Sequence, residues 1–158
     1  MPIDELVEHL GEGLRQRGWR AATAESCTGG LVAKYLTDRA GSSDYFECGW
    51  VTYSNAAKMR LLGVPAAALE AHGAVSEQVA AAMAQGAARY ARVEASVATT
   101  GIAGPGGGSA DKPVGTVWFG VHDAAAGVAT DCRVFSGDRA AVRAAAARFA
   151  LELLLERL

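Results

Sequence analysis

Histidine and cysteine are scarce in this 158-residue chain, with three of each. His9, His72 and His122 fall at no metal-ligand spacing, and none singles out a Ser–His–Asp triad. Cys27, Cys48 and Cys132 are odd in number and widely separated, so they form neither a disulfide framework nor a zinc pattern; buried, reduced thiols are expected. No apolar run approaches the roughly 20 residues needed to cross a bilayer. Neither sign of charge is in large excess. Fifteen Lys and Arg against 17 Asp and Glu leave a net −2, which gives no electrostatic case for nucleic acid or an anionic membrane. Internal repeats and linkers are missing, and the only biased stretch is one glycine-dense segment. The N-terminus, Met1-Pro2-Ile3-Asp4-Glu5, is acidic and amphipathic, unlike a secretory signal, and a cytoplasmic protein is expected.

What remains is a globular composition, 51% hydrophobic and 20% charged, sized for one domain over residues 1–158. Ile3, Leu6, Val7, Leu10 and Leu14 recur at helical spacing, and Gly18 is a natural stop after Arg17. Trp19 to Thr23 reads as a short buried strand, and a helix follows from Thr28 to about Arg39. Tyr45 to Tyr53 is aromatic and β-branched, which favours strand. Ser54 or Asn55 caps a helix ending at Gly63, Pro65 opens a helical turn through Leu69, and Ser76 caps an alanine-rich helix that can pack closely. Ala95–Thr100, Thr116–Val121 and Val128–Phe135 read as strands, the last two as an antiparallel pair, and a final helix starts at Asp138. Its leucine-rich end is suited either to the core or to a second subunit. The fold expected is a three-layer α/β/α sandwich with a mixed, mostly parallel sheet of about five strands. In such sheets ligands gather where strands end. The Ser26 turn, the Tyr53–Lys58 segment and the Thr99–Ser109 loop all follow predicted strands.

Ala24-Glu25-Ser26-Cys27-Thr28-Gly29-Gly30 places a hydroxyl and a thiol between a strand and a helix. Backbone N–H groups there are unpaired, the helix dipole favours negative charge, and two glycines permit close approach. Ser26 is thus a candidate nucleophile beside an oxyanion site, or Ser26 or Thr28 simply caps the helix. With no histidine at hand, Lys58 is the candidate base. Burial near apolar groups and another cation lowers a lysine pKa, and a neutral amine can take a serine proton. Tyr53 is placed to relay a proton or orient the pair. A solvated Lys58 and a sheet aromatic at Tyr53 would fit the same spacing. Gly104-Pro105-Gly106-Gly107-Gly108-Ser109 matches neither common nucleotide fingerprint, yet it can form a nest of N–H groups for a phosphate or carboxylate, with Thr99, Thr100, Ser109 and Lys112 as further donors. Arg139 and Arg143 are either a phosphate clamp or surface charges.

The stretches 24–30, Tyr53-Ser54-Asn55-Ala56-Ala57-Lys58, His72-Gly73-Ala74-Val75-Ser76, Thr100-Gly101-Ile102-Ala103-Gly104-Pro105, Gly107-Gly108-Ser109 and Lys112-Pro113-Val114-Gly115-Thr116-Val117 together resemble the CinA C-terminal domain family. Its enzymatic members are the PncC-type nicotinamide mononucleotide amidohydrolases. The resemblance spans nearly the whole chain. It implies an oligomeric α/β/α enzyme that converts nicotinamide mononucleotide to nicotinate mononucleotide and ammonia, without metal or other cofactor. It also implies Ser26 as nucleophile, Lys58 as general base and Tyr53 as a hydroxyl partner. Cys27, Thr28, Gly29 and Gly30 would receive the oxyanion. Asn55, Thr100, Gly101, Gly104, Gly107, Gly108, Ser109 and Arg139 would line the substrate site. Many relatives carry a nucleotide-pyrophosphatase-like domain ahead of this one, and this chain is expected to lack that activity. Other members are not known as amidases, so a non-catalytic nucleotide- or partner-binding module tied to competence or DNA damage is the competing expectation.

Overall fold

One interior strand of the sheet is made mostly of small residues, and that decides how the layers meet. Strand β1 (Ala21–Glu25) reads Ala-Ala-Thr-Ala-Glu, and all five residues are buried. The computed structural model describes residues 1–158. Helix α1 (Ile3–Arg17) precedes β1, and α2 (Leu31–Thr37), a 3₁₀ turn (Ser42–Asp44) and β2 (Phe46–Val51) follow it. Then come α3 (Asn55–Leu62), α4 (Ala66–His72), α5 (Glu77–Ala91), β3 (Ala95–Gly101), β4 (Thr116–Asp123), β5 (Gly127–Val134) and α6 (Arg139–Glu156).

The five strands lie in the order β2-β1-β3-β4-β5. Strand β1 pairs parallel with β2 and β3, while β4 is antiparallel to both β3 and β5, so β4 alone runs against the rest. The sheet is therefore mixed and mostly parallel in strand direction, as expected. One face is covered by α1, α2 and α6 through Leu10, Leu14, Leu36, Val142 and Leu151, which meet Val97 and Phe119. The other is covered by α3 to α5 through Leu62, Val79, Met83 and Ala87, which meet Ala22, Ala24 and Ala98. Alternate residues of one strand thus feed opposite cores, as the two-residue period of a pleated strand requires. No helix is long and apolar enough to cross a membrane.

One helix start departs from the sequence reading, and one alternative is decided. The helix after the Ser26 turn starts at Leu31 rather than Thr28, because Gly29 and Gly30 take positive φ and the chain enters the helix only after them. The leucine-rich tail of α6 packs inward: Leu151, Leu153 and Leu154 belong to the core of their own chain.

Close helix packing rests on glycine as well as alanine. A Cβ on Gly86 in α5 would stand 2.0 Å from the Leu62 carbonyl oxygen at the end of α3. Gly86→Ala gains about 1 kcal/mol of helix propensity. It forces two helices apart against fixed backbone, at a cost of roughly 1–3 kcal/mol or more. A lowered urea midpoint with an unchanged m-value is the expected result.

The parallel strands deliver three loops to one edge. Glu25 is in register with Val51 of β2 and Thr99 of β3, so the segments after β1, β2 and β3 leave the sheet side by side. The chain order also reverses there: β1 is followed outward by β2 on one side and by β3 on the other. Such a switch point opens a crevice at the strands' carboxyl ends. Ser26 stands at that point, and α6 begins on the same edge after β5.

Candidate active site

Ser26 follows β1 directly, and its N–H donates to the Thr99 carbonyl of β3 at 3.0 Å, which extends the strand pairing by one residue. Its side chain is nearly buried, at 8% exposure. The backbone then turns sharply: the Gly29 N–H donates back to the Ser26 carbonyl at 3.0 Å.

Lys58 arrives from α3. Ser54 caps that helix by accepting the Ala57 N–H at 3.0 Å, which puts Lys58 one turn in, facing the sheet. The lysine is only 1% exposed. Its Nζ lies 3.0 Å from Ser26 Oγ and donates to the carbonyls of Thr52 at 2.8 Å and Tyr53 at 3.2 Å. An ammonium would spend its three protons on these three oxygens. A neutral amine would spend two on the carbonyls and turn its lone pair to the Ser26 hydroxyl. Burial lowers the Lys58 pKa from its ordinary value, against a smaller opposing effect of Cys27. Desolvation alone drives that shift, where a neighbouring cation was also expected.

The rest of the Ser26 turn is held by a side chain that sequence reasoning quoted but did not assign. Glu25 is 1% exposed. Its carboxylate accepts the Thr28 hydroxyl at 2.6 Å and the N–H groups of Gly30 (3.2 Å), Val32 (2.9 Å) and Ala33 (3.1 Å). The cap of α2 is thus Glu25, not Ser26 or Thr28, and the helix's own N–H groups are already spent. The Thr28 hydroxyl also lies 2.8 Å from that of Thr99. Of the four residues expected to receive an oxyanion, Gly29 and Gly30 have committed N–H groups, whereas those of Cys27 and Thr28 donate to no protein acceptor. The Cys27 thiol is pushed up to about 11, chiefly by burial, so it stays protonated at neutral pH. A buried acid directly after a run of small strand residues was the available signal for Glu25, since such a group must find several donors.

The remaining predicted residues divide into those around the crevice and those engaged elsewhere. Tyr53 is 61% exposed, and its hydroxyl accepts from Arg139 Nη2 at 2.9 Å; only its backbone carbonyl meets Lys58. Arg139 also donates Nη1 to the Gly104 carbonyl at 2.9 Å, tying α6 to the glycine loop. Along that loop the N–H groups of Ala103, Gly104, Gly106, Gly107 and Gly108 donate to no protein acceptor, with Gly104 and Gly107 at positive φ. Pro105 interrupts that run and Ala103 and Gly104 are buried, so the N–H groups that solvent reaches are those of Gly106, Gly107 and Gly108. Ser109 closes a turn onto the Lys112 N–H at 3.1 Å, and Lys112 Nζ donates to the His72 carbonyl at 2.7 Å. The Thr100 hydroxyl is buried and donates to the Ala74 carbonyl at 2.9 Å. Gly101 is required by packing, because a Cβ there would stand 2.8 Å from the Thr116 carbonyl oxygen. Asn55 is exposed at the start of α3 and lines a groove with Met59, Ala66, Leu69 and Glu70 rather than with Ser26. No three His, Cys, Asp or Glu side chains cluster to hold a metal ion.

The arrangement is a buried hydroxyl, an amine with lowered pKa in contact with it, two buried N–H groups without a protein acceptor on the next two residues, and a glycine loop that Arg139 ties to Tyr53. A family model for the CinA C-terminal domain matches residues 3–158. The chain is 54% identical over 153 residues to a nicotinamide-nucleotide amidohydrolase PncC of Enterobacter agglomerans, covering 97% of this chain and 93% of that protein. Identity to the Escherichia coli K12 protein of the same name is 53% over 150 residues, covering 95% and 91%. The crystal structure of the competence/damage inducible protein CihA from Agrobacterium tumefaciens superposes with a TM-score of 0.94 at 45% identity, covering 98% of this chain and 94% of that one.

Proposed function

The chain belongs to the CinA C-terminal domain family, and on that premise we propose that it is a nicotinamide-nucleotide amidohydrolase acting through Ser26 and Lys58. The observation that carries the mechanism is the 3.0 Å contact between the buried Lys58 amine and Ser26 Oγ. Neutral Lys58 takes the hydroxyl proton as Ser26 Oγ attacks the carboxamide carbon of nicotinamide mononucleotide. The oxyanion that forms is received by the open N–H groups of Cys27 and Thr28. Lys58 returns the proton to the amide nitrogen, the C–N bond breaks, ammonia leaves, and an ester to Ser26 remains. Water then attacks the ester while Lys58 accepts its proton, and the carboxylate product departs from the regenerated hydroxyl. One amide and one water give one carboxylic acid and one ammonia.

The exposed stretch from Gly106 to Gly108 supports a phosphate subsite, since its N–H groups have no protein acceptor and its glycines let a ligand approach. Binding there supplies energy remote from the amide and positions it for attack. Tyr53, tethered to Arg139, borders the crevice and is assigned to holding the substrate rather than to proton transfer. No step is given to a metal.

Ammonia release from nicotinamide mononucleotide by the purified chain tests the reading, with free nicotinamide as the control substrate. Turnover of the nucleotide, and a much lower kcat/KM on nicotinamide, is the expected result. A folded protein that binds the nucleotide and releases no ammonia would move the chain to the non-catalytic class.

A further inference from the structure

We infer that Arg143 is a positioning residue for catalysis: its guanidinium sets the direction and strength of the Thr28 N–H as an oxyanion donor. The inference rests on the proposal that Ser26 is the nucleophile. Arg143 lies on α6, half-buried, 116 residues from the turn it touches. Its Nε donates to the Cys27 carbonyl at 3.1 Å and its Nη2 to the Thr28 carbonyl at 3.3 Å. In a trans peptide the C=O and the following N–H share one plane and point in opposite directions. Anchoring the Cys27 carbonyl on Arg143 therefore turns the Thr28 N–H to the opposite side and holds it there. The other open donor is held by the same device: the Cys27 N–H shares its plane with the Ser26 carbonyl, which accepts the Gly29 N–H at 3.0 Å. Each peptide bearing an open donor is thus pinned through its carbonyl.

The pinning partner is charged in one case only. A cation on the carbonyl oxygen polarises the amide and makes its N–H the stronger donor, an effect that grows as negative charge develops on the reacting oxygen. Gly29 leaves room for the arrangement. A Cβ there would stand 2.8 Å from Arg143 Nη2, at a residue whose φ is already +60°. With Nε and Nη2 engaged on carbonyls, Arg143 is not the phosphate clamp that its place at the start of a helix suggested.

The test compares the parent with Arg143→Met and Arg143→Lys, using turnover, binding of nicotinate mononucleotide, and inhibition by pyridine-3-boronic acid. The boron accepts the Ser26 oxygen to give a tetrahedral anion that needs the oxyanion donors, whereas the nucleotide product does not. Arg143→Met is expected to lower kcat by about 10²-fold, the scale of losing one such donor, with KM nearly unchanged. Its boronate affinity should fall by a similar factor, while its product affinity stays at the parent's. Arg143→Lys, which keeps the charge but cannot span both carbonyls, should fall between the two. Parent-like boronate affinity in both variants, or loss of product affinity in step with turnover, would overturn the clamp while leaving the nucleophile intact. A parent that neither turns over nor takes up the boronate would overturn both readings. The boronate arm requires only a reactive Ser26, so it separates these cases even if nicotinamide mononucleotide proves a poor substrate.

Discussion

Ser26→Ala should abolish amide hydrolysis, lowering kcat by about 10⁴-fold or more, with substrate affinity largely retained. The variant loses the only atom that can form the ester, and no side chain stands ready to replace it. Cys27 is adjacent, but with a thiol pKa of about 11 only about one molecule in 10⁴ carries a thiolate at pH 7. Cys27→Ala should accordingly keep most of the turnover, since Cys27 is proposed to contribute its backbone N–H and not its sulfur. The fold should survive Ser26→Ala, because the turn is held by backbone bonds and by Glu25, none of which uses Ser26 Oγ. Ammonia release and product binding, measured on a variant whose thermal midpoint matches the parent's, are the comparison to make. Retained turnover in Ser26→Ala with loss in Cys27→Ala would transfer the nucleophile to the thiol. Retained turnover in both would point to direct attack by water.

The elements of this fold were legible because their signals are local. A five-residue apolar stripe located α1, Ser54 and Ser76 announced the starts of α3 and α5, and Gly63 closed α3 in the left-handed conformation that a glycine supplies. The shared edge of Ser26, Lys58 and the glycine loop was also legible, since each follows a strand and parallel strands end together. What sequence did not reveal is the wiring between the loops. Glu25 was visible as an acid beside a serine, but its four donors come from residues three to eight positions onward, and only the positive-φ turn at Gly29 and Gly30 brings them to it. Arg143 lay beyond reach for a different reason. Its carbonyl partners are 116 and 115 residues away, carbonyls leave no mark in sequence, and an arginine early in a helix looks like any surface charge. Thr100 shows the same limit from the other side. A hydroxyl at a strand exit is a natural ligand contact, and this one already donates its proton to the Ala74 carbonyl, which leaves it an acceptor only. Residue type and spacing thus located the crevice. They did not apportion its donors, because that depends on which backbone groups the fold leaves unpaired.

Lys58 carries the second large expected effect, and its pH dependence distinguishes a base from a structural lysine. Lys58→Met should lower kcat by about 10³-fold or more, with product affinity little changed. Lys58→Arg should fail as badly, because a guanidinium holds its proton throughout the working range. In the parent, the competent form is the neutral amine, so kcat/KM should rise with pH and level off above the Lys58 pKa. Burial lowers that pKa, which places the plateau at lower pH than an unperturbed lysine, near 10.4, would allow. Folding stability should carry the same signature. Between the lowered folded-state pKa and the ordinary unfolded-state value the unfolded chain binds more protons, so stability rises with pH across that window; below the window the cost of burying the charge is borne in full. Lys58→Met removes that slope, and it leaves the Thr52 and Tyr53 carbonyls without their donor. Urea unfolding of parent and variant across the window, beside the kcat/KM profile, reads both. If the amine is the base, one folded-state pKa governs both: parental activity levels off where the rise in stability relative to the variant begins. A parental activity rise with no difference in stability slope would assign the proton to another group and leave Lys58 a tether between α3 and the end of β2.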